Sequence, residues 1–206
     1  MRLRLGSLEA RVITEDFCRR LSRHENLCPH FHLSLQSGAD ATLRRMNRKY
    51  TTEEYLHAVE LLRRYFPSVA ITTDLITGFP GETEEEFAET LAFIQKVGFA
   101  DMHIFPYSVR PGTVAAKLPG QLTKTVKEAR AHRAAAVAEQ MHRAFLQNMV
   151  GTTVPVLFEQ KKEDGRFYGH APNYTEISVE GEGLHNEVRA VRLVAACGDT
   201  MRGELV

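Results

Sequence analysis

At 206 residues, 43% of them apolar and 25% charged, the chain has material for a sizeable core, and a soluble folded protein with one larger unit and one small one is expected. Its formal net charge of zero gives no global pull toward nucleic acid or membrane surfaces. No apolar run approaches the ~20 residues needed to cross a bilayer, and the start of the chain reads as a strand and not as the approach to a signal-peptide core, so a cytoplasmic location is expected.

The charge is unevenly spread. Residues 1–150 carry 20 Lys and Arg against 17 Asp and Glu, a surplus of three, and residues 151–206 carry 6 against 9, a deficit of three. The surplus gathers at Arg44-Arg45-Met46-Asn47-Arg48-Lys49 and along residues 123–149. Such clusters can meet phosphate, although a solvated helix face explains most of them. The three cysteines, Cys18, Cys28 and Cys197, are separated by 10 and then 169 residues. That spacing suits neither a disulfide framework nor a CxxC-type metal site.

In chain order, a strand is expected over Arg2–Gly6, a helix over Thr14–Ser22 and a second strand over His30–Gln36. Thr51 and Glu54 form a capping box that opens a helix with Tyr55, Val59, Leu62 and Phe66 on one face, stopped by Pro67. Val69–Ile76 is an apolar, β-branched run of the kind buried on both faces of a parallel sheet. Thr83 and Glu86 set a second capping box before Phe87, Leu91 and Ile94, with Gly98 as the stop. Met102–Tyr107 is the last strand of this series. Four strands alternating with helices predict parallel pairing with crossover connections.

A long helix near Thr123–Met149 follows. Beyond Gly151 the pattern becomes short alternating runs at 153–158, 167–170, 175–179, 188–195 and 201–206, punctuated by glycines, which predicts a small antiparallel barrel or sandwich. The division expected is therefore residues 1–122, a linking helix over 123–150, and a small β unit over 151–206.

Polar residues and glycines collect where the strands run out, in Ser34-Leu35-Gln36-Ser37-Gly38, in Asp74-Leu75-Ile76-Thr77-Gly78-Phe79-Pro80-Gly81-Glu82 and in Tyr107-Ser108-Val109-Arg110-Pro111-Gly112-Thr113. A parallel α/β barrel uses that edge to hold ligands. With Arg45-Met46-Asn47-Arg48 between the first two, these passages closely resemble the later part of the radical S-adenosylmethionine tRNA methylthiotransferases. The likeness covers essentially the whole chain, since the tail resembles the small TRAM β-barrel that ends those enzymes and is thought to grip RNA. Leu5-Gly6-Ser7-Leu8-Glu9, Cys28-Pro29-His30-Phe31-His32-Leu33 and Phe105-Pro106-Tyr107-Ser108 resemble the branch that acts on N6-threonylcarbamoyladenosine beside the tRNA anticodon. Ala39 stands where members of the family often carry another small residue.

The resemblance implies an α/β fold, a partial parallel barrel of the radical SAM type represented by its last four units, followed by the TRAM barrel. It implies S-adenosylmethionine and 4Fe-4S clusters as cofactors, tRNA as partner, and a radical reaction that installs a methylthio group on C2 of the adenine ring. The family binds one cluster through CxxxCxxC, a soft thiolate set suited to iron–sulfur. No three cysteines here have that spacing. The chain therefore reads as the late part of a longer enzyme, inert by itself, and no residue of it is assigned a catalytic or metal-binding role. A stand-alone RNA-binding or degenerate module without redox chemistry is the alternative, as is a sister branch acting on isopentenyladenosine or on a ribosomal protein.

For cofactor binding the candidates are Ser34, Gln36, Asp74, Gly78 and Tyr107. Ser34 and Gln36 stand two apart on a strand and so share a side, and a Gln amide both donates and accepts toward a ribose. Asp74, among apolar neighbours, either orients cofactor or substrate or pairs with a nearby hydroxyl. Gly78 lets backbone approach a ligand or simply makes a turn. Tyr107 offers a stacking ring. Arg48, Lys49, Arg110 and Tyr174 are the candidates for contact with RNA or substrate, through phosphate, carboxylate or an unpaired base. Glu82 ranks below these, and His30 with His32 reads as structural, for lack of a third ligand at a recognised spacing.

Overall fold

The computed structural model describes residues 1–206. Its first part is a four-stranded parallel sheet in the order β1 (Ser7–Leu8), β2 (His30–Leu33), β3 (Ala70–Thr77), β4 (Asp101–Pro106). Between the strands run α1 (Glu15–Leu21), α2 (Asp40–Arg45), α3 (Thr52–Tyr65) and α4 (Glu84–Val97). Both capping boxes form: the Thr51 and Thr83 hydroxyls accept from the amides of Glu54 and Glu86, whose carboxylates accept from the amides of Thr51 and Thr83. Gly98 ends α4 in the left-handed conformation, φ 65°, where a side chain would be strained.

Two expectations for this unit change, and one helix is added. The first strand is Ser7–Leu8, with only an isolated bridge, Leu3 to Leu27, in the Arg2–Gly6 stretch. α2 falls on residues whose helical signal is weak: it has six residues, and Ala39 at its N-cap gives no side-chain bond. β3 is not buried on both faces. Ile71, Thr73, Leu75 and Thr77 are buried, whereas Thr72, Asp74 and Ile76 are half-buried. One face packs under helices, and the other carries polar groups.

The helix-covered face holds the main core, with Phe31, Leu33, Leu75, Tyr55, Phe87 and Phe99 all essentially inaccessible. The long helix α5 (Lys124–Met149) places Ala134 and Ala138 in this core. Its last turns place Leu146 and Met149 in a second core, inside the small β unit. Sharing its residues between both cores, α5 is an integral element and more than a connector.

The second part is a closed five-stranded barrel of β5 (Thr153–Lys161), β6 (Phe167–His170), β7 (Glu176–Val179), β8 (Val188–Cys197) and β9 (Thr200–Leu205), in the order β5-β6-β7-β9-β8. Four of its pairings are antiparallel, and β7 with β9 is parallel. Gly169 and Gly203 allow close passage: a Cβ at Gly169 would stand 2.2 Å from the Leu157 carbonyl oxygen, and one at Gly203 2.2 Å from a Val191 methyl. A clasp ties barrel to sheet. Arg2 donates to the carbonyls of His170 (3.0 Å) and Pro155 (2.9 Å), and the Arg4 guanidinium lies 3.7 Å above the Tyr174 ring.

Candidate functional site

A hollow of about 500 Å³ opens at the carboxyl ends of the parallel strands. Gln36, Asp74, Ile76, Tyr107 and Arg110 are among its lining residues, together with the loop after β4 through Thr113 and Ala115. A hollow of about 570 Å³ lies at the opposite end, between the strand starts, α5 and the barrel. Ligands of open parallel sheets bind outside the carboxyl ends of the strands, so the former is the candidate site.

Gln36 reaches it through irregular backbone. It is 8% exposed and sits at φ 68°, a conformation that costs a non-glycine residue roughly 1 kcal/mol or more. The backbone on both sides fixes it: its amide donates to the Asp74 carbonyl (2.9 Å), and its carbonyl accepts from the Ile76 amide (3.0 Å). The two-residue alternation that pairs Ser34 with Gln36 in the sequence fails here because regular pairing stops at His32. Ser34 does not line the hollow; its carbonyl accepts from the Tyr50 hydroxyl (2.9 Å).

Asp74 stands on the open face of β3. Its Oδ2 is 3.3 Å from Nε2 of His32, whose Nδ1 meets the Thr72 hydroxyl at 3.0 Å. Its expected hydroxyl partner is therefore an imidazole, and the hydroxyl belongs to the imidazole's other nitrogen. Tyr107 follows β4, with its amide on the Thr77 carbonyl (2.8 Å). Its ring meets Phe79 edge-on at 5.3 Å and lies 5.0 Å from the Lys127 ammonium, and its buried hydroxyl has no partner in the chain. The hydroxyl is thus buried without a partner, and packing within the chain already engages the ring. Arg110 is exposed and pairs with no carboxylate.

Gly78 lies outside the hollow. A Cβ there would stand 2.5 Å from Cγ of Lys127, so glycine at this position, φ 72°, serves the approach of α5. Its amide donates to Oε2 of Glu82 (2.8 Å), which also accepts from Arg130 (2.7 Å). Glu82 and Arg130 side chains are 1% and 6% exposed. Burial pushes the Glu82 carboxyl up despite these donors. This pair pins the turn after β3 to α5, and no feature of the sequence marks Arg130 as different from its basic neighbours.

The residues expected to meet RNA are scattered. Arg48 and Lys49 follow α2, Lys49 donating to Oδ1 of Asn47 (2.6 Å). Tyr174 lies between β6 and β7, at φ 72°, and is 51% exposed, with the Arg4 guanidinium 3.7 Å from its ring centre and the His170 ring stacked on it at 4.7 Å. The ring is thus packed in part within the chain, with half of the residue open. The basic helix is largely neutralised, with Lys124 paired to Glu128, Arg130 to Glu82, Arg133 to Glu84 and Arg143 to Glu139.

Residues 7–94 match the profile of the radical SAM superfamily. The chain is 35% identical, over 100% of its length and 47% of the relative's, to the threonylcarbamoyladenosine tRNA methylthiotransferase MtaB of Bacillus subtilis. It is 38% identical to the tRNA-2-methylthio-N(6)-dimethylallyladenosine synthase of Chlorobaculum tepidum, again over 100% of this chain and 47% of the relative. The corresponding synthase of Mycobacterium bovis is 46% identical over 76% of this chain and 30% of its own length. Among solved structures, the radical SAM enzyme coproporphyrinogen III oxidase of Escherichia coli shares the fold, with TM-score 0.57 and 16% identity over 85% of this chain and 46% of that one. The chain spans about half the length of the first two relatives.

Proposed function

We propose that the chain, whose residues 7–94 match the radical SAM superfamily profile and whose whole length aligns with tRNA methylthiotransferases, is the late part of such an enzyme and holds S-adenosylmethionine in the hollow at its strand ends. The observation that carries this reading is the convergence of Gln36, Asp74 and Tyr107 on one cavity. Asp74 accepts from ribose hydroxyls or the ammonium of the ligand, the Gln36 amide donates and accepts beside it, and Tyr107 forms part of the wall. When bound, this cofactor supplies the sulfonium on which the family's radical chemistry depends.

An iron–sulfur cluster does not fit the residues present. Cys18 is buried in α1, Cys28 is buried ahead of β2, and Cys197 is exposed at the end of β8. No group of three or more His, Cys, Asp or Glu side chains is placed to hold a metal ion. The chain by itself is therefore inert for methylthiolation in this reading.

The proposed substrate is tRNA at the anticodon stem-loop, with N6-threonylcarbamoyladenosine as the base that receives the methylthio group at C2. Relatives with 35% and 38% identity carry names of the threonylcarbamoyl and dimethylallyl branches respectively, which keeps the dimethylallyl substrate as a second reading. The small barrel is proposed as a TRAM domain, and the protein as cytoplasmic. No helix is long and apolar enough to cross a membrane.

The test is an NMR titration of the chain with S-adenosylhomocysteine, a non-reactive probe of the cofactor site. Shifts confined to Gln36, Asp74, Tyr107 and their neighbours, and lost in Gln36→Ala and Asp74→Ala, are expected. Shifts centred elsewhere, or unchanged in both variants, overturn the assignment of the hollow.

A further inference from the structure

We propose that Thr73, a buried residue that touches no ligand in the reading above, is the positioning residue that aims Gln36 into the cofactor hollow. The inference rests on that reading for its function and on the backbone for its mechanism. β2 and β3 pair in register as far as His32 and Thr72. They meet again at the isolated bridge between Gln36 and Leu75. Between those two pairings β2 advances four residues and β3 three, so β2 carries one extra residue, a bulge of a sort uncommon in parallel sheets.

A bulge removes ladder partners from the groups beside it, and buried backbone groups without partners are strongly disfavoured. Thr73 fills both gaps. Its hydroxyl donates to the Leu33 carbonyl (2.5 Å) and accepts from the Leu35 amide (2.9 Å), and its side chain is 0% exposed. A hydroxyl donates and accepts at once, which valine, its closest match in shape, cannot do. Two tyrosines complete the support: Tyr55 donates to the Leu33 carbonyl (2.8 Å), and Tyr50 donates to the carbonyls of Ser34 and Leu35 (both 2.9 Å).

The next residue is Gln36, in the left-handed conformation and buried in the lining of the hollow. A glutamine holds that conformation only where its surroundings over-determine it. With Thr73 bonded to Leu35, the backbone entering Gln36 is fixed, and the main-chain bonds to Asp74 and Ile76 fix the backbone leaving it. Without the hydroxyl, Leu35 is free to regain ladder geometry, and the Gln36 side chain turns away from the hollow.

The experiment uses the full 206-residue chain and two readouts. The first, without ligand, is the NMR position of the Gln36 side-chain amide in Thr73→Val and Thr73→Ser. The second is the Kd for S-adenosylhomocysteine in these variants, in Gln36→Ala and in the Thr73→Val/Gln36→Ala double variant. Thr73→Val is expected to move the Gln36 signal and to weaken binding about tenfold, the effect of one lost hydrogen bond. Thr73→Ser keeps both properties near those of the parent, and Thr73→Val adds nothing once Gln36 is alanine, since its effect passes through that side chain. An unmoved Gln36 signal, or losses that multiply in the double variant, overturns the inference. If Gln36→Ala alone leaves binding unchanged, the reading of the hollow fails while the ligand-free signal still decides the role of Thr73. Where Thr73→Val does not fold, Tyr55→Phe, which removes the second hydroxyl on the Leu33 carbonyl, is expected to move the same signal less far, and no movement there overturns the inference.

Discussion

His32 and Asp74 face each other across the open side of the sheet, Nε2 to Oδ2 at 3.3 Å, with Nδ1 of the same imidazole on the Thr72 hydroxyl. The arrangement is self-consistent for a neutral ring carrying its proton on Nε2: that proton goes to Asp74, and the Thr72 hydroxyl donates to Nδ1. One carboxylate oxygen is thereby held, and the other is left for a ligand. Asp74→Ala is expected to lower affinity for S-adenosylhomocysteine five- to tenfold, as loss of a charge-assisted bond would. His32→Ala is expected to do so only two- to threefold, because it loosens the carboxylate without removing it. Calorimetry on the two variants checks the order, and an equal or larger loss in His32→Ala would contradict it.

The buried pair of Glu82 and Arg130 offers a stability test separate from ligand binding. Removing one member of a buried ion pair strands the other charge in a low-dielectric setting, typically at a cost of 3–5 kcal/mol. Arg130→Met is expected to destabilise the chain by about that much in urea unfolding, and Arg130→Met/Glu82→Gln to recover most of it. Burial already raises the Glu82 carboxyl, and loss of Arg130 raises it further. Above the unfolded carboxylate's ordinary value, an acid with a raised folded value loses stability as pH rises, because unfolding releases its proton. The deficit of Arg130→Met should therefore shrink between pH 8 and pH 5, and a deficit constant over that range would show that charge burial is not its cause.

His30 supplies a pH dependence of opposite origin. Burial, aided by Arg4 and His32, pushes its imidazole down to about 4 from 6.5. A base with a lowered folded value is protonated first in the unfolded chain, so the folded state loses stability as pH falls from 6.5 toward 4. Discounted for its partial exposure, the loss amounts to roughly 1–2 kcal/mol. Thermal unfolding of His30→Gln against the parent should show the variant losing less stability across that window. Parallel curves would place the titration elsewhere.

Elements whose stabilising interactions are local were legible in the sequence, and those set by tertiary contact were not. The capping boxes at Thr51 and Thr83, the stop at Gly98 and the strand–helix alternation each depend on residues a few positions apart. The convergence of Gln36, Asp74, Tyr107 and Arg110 followed from placing strand ends together. The departure of Ser34 did not, because the bulge that separates it from Gln36 is fixed by Thr73, 38 residues from Leu35 in the chain. Gly78 reads the same whether a ligand or a helix approaches it, and only α5 decides. Tyr174 reads as an isolated ring until Arg4, from the far end of the chain, and His170, four residues before it, pack against it.

Neutralisation of most cations on α5 narrows the RNA candidates chiefly to the first basic cluster and Arg110. Arg44, Arg48, Lys49 and Arg110 have no carboxylate within ion-pair distance, whereas Lys124, Arg130, Arg133 and Arg143 each have one. If the proposed anticodon stem-loop is bound through three or four free cations, the logarithm of affinity should fall with the logarithm of salt at a slope of about −2 to −4, since each phosphate contact contributes roughly −0.7 to −0.9. Arg48→Glu/Lys49→Glu should flatten that slope by about 1.5, the share of two contacts. Reversing Arg133 and Arg143 should leave it almost unchanged, because those charges already have partners. A salt-insensitive titration removes the electrostatic component altogether. A slope carried by Arg133 and Arg143 would mean that RNA displaces the intrahelical and α4 carboxylates and makes α5 the binding face.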